Sequence, residues 1–334
     1  MPLASPFASP PAALRITRRR LLLAAAASLL AGCSSDRPRE PLRLATNEWP
    51  GYEPLHLARE RGYWGEAPIR LYELPSTSEV LRALRNGALD AAAVTSDEAL
   101  SLLGDRQEVR AVLVLDISNG GDALVTRPNI RRLADLKGLR IGVENQALGA
   151  YMLSRILSEA GLNQTDLSIV PLTVDTHENA YLAGAVDGVI TSDPALSRLQ
   201  TLGARTLYSS RQMPGEIFDL LVVREEAYRQ HHQTLRALGD AWFRVLDELG
   251  TDPAGTASAL GRRTQTPGPR FQNSLAGLIL PDREQVRRLL ASSAPEILPP
   301  LLRVRNFMEA RGLLVRPVNP GQLLPPDLGE VLAL

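Results

Sequence analysis

Ile69-Arg70-Leu71-Tyr72-Glu73-Leu74, the run from Thr77 to Asn86, and Ala91-Ala92-Ala93-Val94 follow one another in a short stretch of chain. The first alternates apolar and polar residues, the period of a strand with one buried face. The second places Val80, Leu81 and Leu84 on one side of a helix. Gly87 stands just past its end, where a left-handed residue closes helices. The third is a short apolar run, as in a strand covered on both faces. Strand, helix and strand in this order predict an α/β sheet with helices on its faces.

The same alternation extends in both directions. Leu42 to Thr46 reads as a strand and Tyr52 to Tyr63 as a helix. Ser96-Asp97-Glu98 caps a further helix, and Ala111 to Leu115 reads as a central strand. A second series follows. Strands are expected at 122–126, 140–143, 167–172, 186–190, 205–208 and 220–223, with helical segments at 130–136, 147–160 and 178–184 and a helix opened by Pro194. Beyond Glu225 the pattern is helical at 225–249, 251–261, 282–293 and 297–312, and the tail from Pro317 reads as proline-rich and irregular. Two α/β series imply two lobes, each an open, mainly parallel sheet with flanking helices: 42–120 plus 220–334 as lobe 1, with the helical C-terminal part packed on it, and 121–219 as lobe 2. In such sheets ligands bind outside the carboxyl ends of the strands, so two lobes facing each other make a cleft.

The N-terminus carries a different signal. Thr17-Arg18-Arg19-Arg20 precedes the apolar run Leu21 to Ser28, and Leu29-Leu30-Ala31-Gly32-Cys33 follows. Charge, a short apolar run and small residues make an export signal. The run is too short to span a bilayer, which takes roughly 20 apolar residues. The Leu-Ala-Gly-Cys ending resembles the lipobox of bacterial lipoproteins, which implies lipidation of Cys33 and cleavage before it. The segment 1–33 is thus expected to be a lipoprotein signal peptide and 34–41 a flexible linker. The arginine cluster also resembles a twin-arginine signal, so both export routes stay open. The expected product is an exported, membrane-anchored lipoprotein facing the periplasm or the cell exterior.

Composition narrows the function. Acids and bases balance over the whole chain. Removal of the signal deletes Arg15, Arg18, Arg19 and Arg20 and no acid, which leaves a mildly acidic remainder with no basic stripe for nucleic acid. Cys33 is the sole cysteine, so neither a disulfide nor a thiolate metal site is available. His56, His177, His231 and His232 lack metal-ligand spacing, and the His231-His232 pair reads as a solvated face. No cofactor is expected. Gly120-Gly121 lacks the context of a nucleotide-binding loop, and there is no Gly-x-Ser-x-Gly elbow or nucleophile–base set.

Several segments resemble one family in order and spacing. They are Asn47-Glu48-Trp49-Pro50-Gly51-Tyr52-Glu53-Pro54 running on to Gly62-Tyr63-Trp64, Gly87-Ala88-Leu89-Asp90-Ala91-Ala92, Leu133 to Val143, and Val186 to Pro194. Together they resemble the substrate-binding proteins of ABC importers for nitrate, sulfonates, taurine and pyrimidine precursors, over roughly residues 42–250. The resemblance implies a type II periplasmic binding fold that closes on a small-molecule ligand. It also implies an ABC permease with its ATPase as partner; some relatives in the pyrimidine branch do chemistry, but without a nucleophile–base set no catalysis is expected here.

The candidate ligand-binding residues stand at the expected strand ends. Trp49 and Tyr52 offer aromatic faces. Ser96 and Asp97 begin a helix, and Asn119 and Asp122 flank Gly120-Gly121 at the lobe crossing. Gly149 lies at a helix start that would suit an anion, but the stretch Asn145 to Gly149 has no hydroxyl. Asp193 and Glu216 add negative charge, as does Asp219, with His177 as a weaker candidate; Arg211 is the sole arginine in these segments. An acidic cleft attracts amines and nitrogen heterocycles over nitrate or sulfate. A ligand sensor docked on a membrane receptor, and a sulfonate- or nitrate-type binding protein, remain as alternatives.

Overall fold

Ser76 starts the first clearly amphipathic helix by accepting a hydrogen bond from the Glu79 N–H at 3.3 Å, and the local patterns read from sequence recur along most of the chain. The structure is a computed structural model that describes residues 40–144, 148–291 and 293–334. The expected signal peptide with Cys33, and nearly all of the linker, lie outside the described residues. Pro41–Leu334 form one compact unit.

The first sheet contains β1 (Leu42–Thr46), β2 (Ile69–Glu73), β3 (Ala91–Thr95), β4 (Val109–Ser118), β10 (Phe218–Arg224) and the short β11 (Leu278–Ile279), in the order β11-β4-β10-β3-β1-β2. The second contains β5 (Asp122–Thr126), β6 (Arg140–Val143), β7 (Ser168–Pro171), β8 (Gly188–Ser192) and β9 (Arg205–Ser209), in the order β7-β6-β8-β5-β9. Helices α1 (Glu53–Glu60), α2 (Thr77–Arg85) and α3 (Ser96–Gly104) belong to the first series. Helices α4 (Leu148–Ala160), α5 (His177–Leu182) and α6 (Ala195–Thr201) belong to the second. Every residue of β3 is buried, as its unbroken apolar run requires of a strand covered on both faces.

Both sheets are mixed. Parallel pairing, expected to predominate from the alternation, holds for β2-β1-β3 and for β7-β6-β8. It fails where the chain changes lobe: β10 is antiparallel to β3 and β4, and β5 to β8 and β9. A strand entered from the opposite lobe arrives at the cleft end of its sheet and must run away from it. Strand β4, expected to be central, sits beside the two-residue edge strand β11.

Beyond β10 the chain is helical, but not as one run over 225–249. Helix α7 (Glu225–Gln230) stops at His231, and α8 (His232–Thr251) begins anew. His231 is buried at this break, not part of a solvated face. Leu235, Leu238, Trp242 and Val245 form the buried stripe of α8 at helical spacing. There follow α9 (Pro253–Gly261), α10 (Gly268–Leu275), α11 (Arg283–Val286), a π-helical turn at Arg287–Ala291, and α12 (Leu298–Ala310). The tail is not irregular. Leu323, Leu328, Val331 and Leu332 are buried, the last three on α13 (Leu328–Leu332), which packs on α8. Pro320 opens a 3-10 turn (Pro320–Leu323), and Pro325-Pro326 separate that turn from α13.

Two crossings join the lobes, from Ser118 to Asp122 and from Ser209 to Phe218, and they are bonded to each other. Ser118 Oγ and Ser210 Oγ lie 2.8 Å apart, the Gly120 N–H donates to Ser210 Oγ at 2.6 Å, and Arg211 Nε donates to the Asn119 carbonyl at 3.0 Å. The Gly277 carbonyl, ahead of β11, accepts from the N–H groups of Asn119 and Gly121 at 2.8 and 3.1 Å.

Candidate functional site

Antiparallel entry has a direct consequence for the cleft. The first residues of β10 and β5 lie beside the last residues of β3 and β8: Asp219 is paired with Thr95, and Asp122 with Ser192. Strand ends that carry Thr95, Thr191 and Ser192 therefore converge with strand starts that carry carboxyls. Asn47 follows β1 and Glu144 follows β6 into the same space. The result is a cavity of about 570 Å³, mouth included, lined from both lobes.

Its charge is one-sided. Glu98, Asp122, Glu144 and Asp219 line it, and no arginine or lysine among the described residues does. All four carboxyls are buried. Just beneath, Asp116 is fully buried and is the cross-strand partner of Asp219. Two carboxylates directly opposite repel each other. Burial, with the charges of Asp116 and Asp122, holds the Asp219 carboxyl well above the usual carboxylate range. Burial likewise pushes Asp122 and Asp116 up to about 7, and Glu98 up to about 8, the last also through the charge of Asp97. Burial lowers His177, in the cavity wall, to about 4, so its imidazole is neutral near pH 7.

Trp49 and Tyr52 line the cavity as expected, but their polar atoms are committed. Trp49 Nε1 donates to Asp116 Oδ2 at 2.8 Å, and the Tyr52 hydroxyl donates to Asp219 Oδ1. The rings meet edge-on, 6.4 Å apart. They act as donors that hold the carboxyls in place as well as a wall. Gly51 makes this possible by close approach: a Cβ there would lie 1.8 Å from Asp116 Oδ2 and 2.6 Å from Trp49 Nε1. Gly51→Ala is therefore expected to break the Trp49–Asp116 bond and destabilise the protein by about 1–3 kcal/mol. A shifted tryptophan emission maximum with a lowered Tm checks it.

The other expected residues divide. Asp122 and Gly149 line the cavity; of the stretch expected to lead into Gly149, Asn145 to Ala147 lie outside the described residues. Ser96, Asp97, Asn119, Asp193 and Glu216 do not line it. Ser96 Oγ donates to the Glu216 carbonyl at 2.8 Å, and Asp97 accepts from Thr95 Oγ1 at 2.7 Å, held by burial at about 6. Asn119 is exposed on the crossing. Asp193 accepts from the Ser197 N–H at 2.8 Å and lines a separate, smaller cavity that shares Trp49. Glu216 is matched by Tyr151 at 2.6 Å and Arg155 at 2.9 Å, so its charge is offset. Arg155 lies on α4, outside the segments in which Arg211 stood alone. Glu98 and Glu144 were not singled out as ligand contacts from sequence, although Glu144 directly follows β6 and Glu98 lies in the first turn of α3; Thr95 caps α3 and Glu98 completes the box, accepting from the Thr95 N–H at 2.8 Å. Among the described residues, no group of three or more His, Cys, Asp or Glu is arranged to hold a metal ion, and no helix is long and apolar enough to cross a membrane.

The raised carboxyl pKa values make stability depend on pH. Above the ordinary carboxyl pKa the folded protein keeps protons that the unfolded chain has lost, so this contribution is present at low pH and disappears as pH rises through about 7 to 8. His56 and His177, lowered by burial to about 3 and about 4, act in the opposite sense: the unfolded chain takes up their protons first as pH falls below about 6.5. The raised carboxyls outnumber the two imidazoles, and their stability begins to be lost at the ordinary carboxyl pKa, so the Tm of the ligand-free protein is expected to fall steadily from pH 5 to pH 8.5. Calorimetric scans across that range check it.

Comparison with known proteins places this geometry. Residues 35–259 match the model of the NMT1-like family. The chain is similar to the alkanesulfonate-binding protein SsuA from Xanthomonas axonopodis pv. citri bound to MOPS: TM-score 0.73, 20% identity, 86% of this chain and 99% of that one covered. It is similar to the periplasmic aliphatic sulphonate binding protein SsuA from Escherichia coli, with a TM-score of 0.69, 18% identity, and 86% and 98% covered. The desulfurization enzyme DSZB also shares the fold, with a TM-score of 0.63, 20% identity, and 88% and 99% covered. No curated protein matches the sequence. At these identities the likeness establishes the two-lobed fold, which binding proteins and an enzyme both use.

Proposed function

The chain belongs to the NMT1-like family, and from that premise we propose that it is an extracytoplasmic solute-binding lipoprotein of an ABC importer, which captures a small ligand bearing a protonated amine or nitrogen-heterocycle donors. The observation that carries the ligand class is the cavity wall: Glu98, Asp122, Glu144 and Asp219 line it without an arginine or lysine among the described residues. A bound cation stabilises buried carboxylates that otherwise hold protons. Thr95, Thr191, Ser192 and Asn47 add polar groups of both kinds for orientation.

The remaining parts of the reading rest on sequence. Export and lipidation at Cys33 follow from the signal-like segment, and the permease partner follows from the family resemblance. A lipid anchor on Cys33 would hold the described unit at the membrane through the polar 34–41 segment. Capture without turnover is favoured by the sulfonate-binding proteins among the solved structures that share the fold.

Titration calorimetry with amines and pyrimidines, beside nitrate and ethanesulfonate, tests the ligand class. An amine or pyrimidine that binds, and that raises Tm in proportion to its saturation, supports the proposal. Tight binding of nitrate or ethanesulfonate with no amine response would refute it. Mass spectrometry of the recovered ligand tests for turnover; a changed mass would indicate an enzyme.

A further inference from the structure

The cleft contains two helix starts, one from each lobe, and each is filled from the opposite side. Glu144, which follows β6 in the second lobe, accepts a hydrogen bond from the Ser78 N–H in the first turn of α2 at 3.0 Å. Glu98, on α3 in the first lobe, accepts one from the Leu148 N–H at the start of α4 at 3.1 Å. A helix start gathers N–H groups without intrahelical partners and the positive end of the helix dipole, and is the natural seat of an anion. Here both seats are taken by side chains of the protein itself. Gly149 is part of the arrangement, because a Cβ there would lie 2.9 Å from the Glu144 carbonyl oxygen. Bare hydrogen makes room for α4 to begin against the residue that reaches across.

Among the groups that the cavity leaves open, which include the Thr191 hydroxyl, one has the opposite character. Asp122 is 7% exposed, lines the cavity, and its Oδ2 has no hydrogen-bond partner among the described residues. The vacant valence is an acceptor, which calls for a donor on the ligand.

We propose that Glu98 and Glu144 form a reciprocal latch and set the specificity of the cleft. Each lobe supplies the accepting carboxyl for the helix start of the other. The latch holds the empty cleft shut, and it denies both helix starts to oxyanion ligands. The inference concerns the empty protein and its rejection of anions, so it stands or falls separately from whether the solute is an amine.

Paired spin labels on the full chain test it. In a Cys33→Ser background, labels are placed at Tyr72→Cys on the first lobe and Leu202→Cys on the second, both exposed. Without ligand, the intact latch is expected to give one narrow distance distribution. Glu144→Ala, and more so Glu144→Ala combined with Glu98→Gln, is expected to broaden it towards longer distances. In parallel, ethanesulfonate is expected to bind the double variant at least tenfold more tightly than the parent. Because Glu98 also caps its own helix through Thr95, the single Glu144→Ala variant, checked by circular dichroism, guards against a folding defect. An unchanged distribution in folded Glu144→Ala overturns the latch. Ethanesulfonate binding that is equal in parent and double variant overturns the exclusion.

Discussion

Asp122→Asn is expected to lower the affinity for a cationic ligand by about a hundredfold while making the empty protein more stable at pH 8. The two effects have one cause. Asp122 lies in the cavity wall with Oδ2 unpartnered among the described residues, and burial raises its carboxyl to about 7. Ionising it in the empty cleft is unfavourable, and a bound ammonium removes that penalty. Loss of one partner from a buried, hydrogen-bonded charge pair costs about 2–5 kcal/mol, and each 1.4 kcal/mol is about tenfold in affinity. Asparagine keeps the shape and cannot ionise. The affinity of the unmodified protein for an amine is expected to rise as pH climbs through about 7, because the carboxylate is the binding form. The variant should show a shallower rise, since Glu98 and Asp219 still titrate. Calorimetric affinities at pH 6 and 8.5, with Tm of both empty proteins, check this. A variant that loses affinity and also loses stability would point to a structural lesion instead.

Trp242→Ala is expected to destabilise the protein by about 3–5 kcal/mol, the largest effect of any single truncation proposed. Trp242 is fully buried on α8, which packs against α1, α9 and α13. Its indole N–H has no hydrogen-bond partner among the described residues, so packing is its contribution. Trp242→Phe should therefore be much milder, about 1–2 kcal/mol, since it keeps a ring and strands no partner. Denaturant unfolding of the two variants separates the cases. A similar loss in both would mean that the indole nitrogen has a polar role.

Much of the architecture was legible because hydrophobic period reports directly on burial. The alternation at 69–74, the stripe Val80-Leu81-Leu84 and the apolar run 91–94 map onto β2, α2 and β3. Strand direction was not legible. Residues 218–224 look the same whether the strand runs parallel or antiparallel to β3, and direction is set by which lobe the chain comes from. The site was legible in part for the same reason. Trp49, Tyr52, Asp122 and Gly149 line the cavity, whereas Asp193 and Glu216 are acids of similar sequence setting that found local partners, an amide at Ser197 and a guanidinium at Arg155. Distance along the chain hides such partners. Glu98 was disguised by its helix-capping pattern, which is real but engages only one of its two oxygens. Asp116 did leave a signal: an acid inside the apolar strand 109–118 must find a donor, and Trp49 is that donor.

The paired connections between the halves have a mechanical consequence. Two neighbouring segments stitched together by Ser118, Ser210, Asn119 and Arg211 make a narrow ribbon, and a ribbon flexes readily across its flat face while resisting twist and shear. One angular coordinate is then soft, as for a book bound along its spine. A solute that bridges the pages arrests a single motion, so little conformational entropy has to be surrendered on capture.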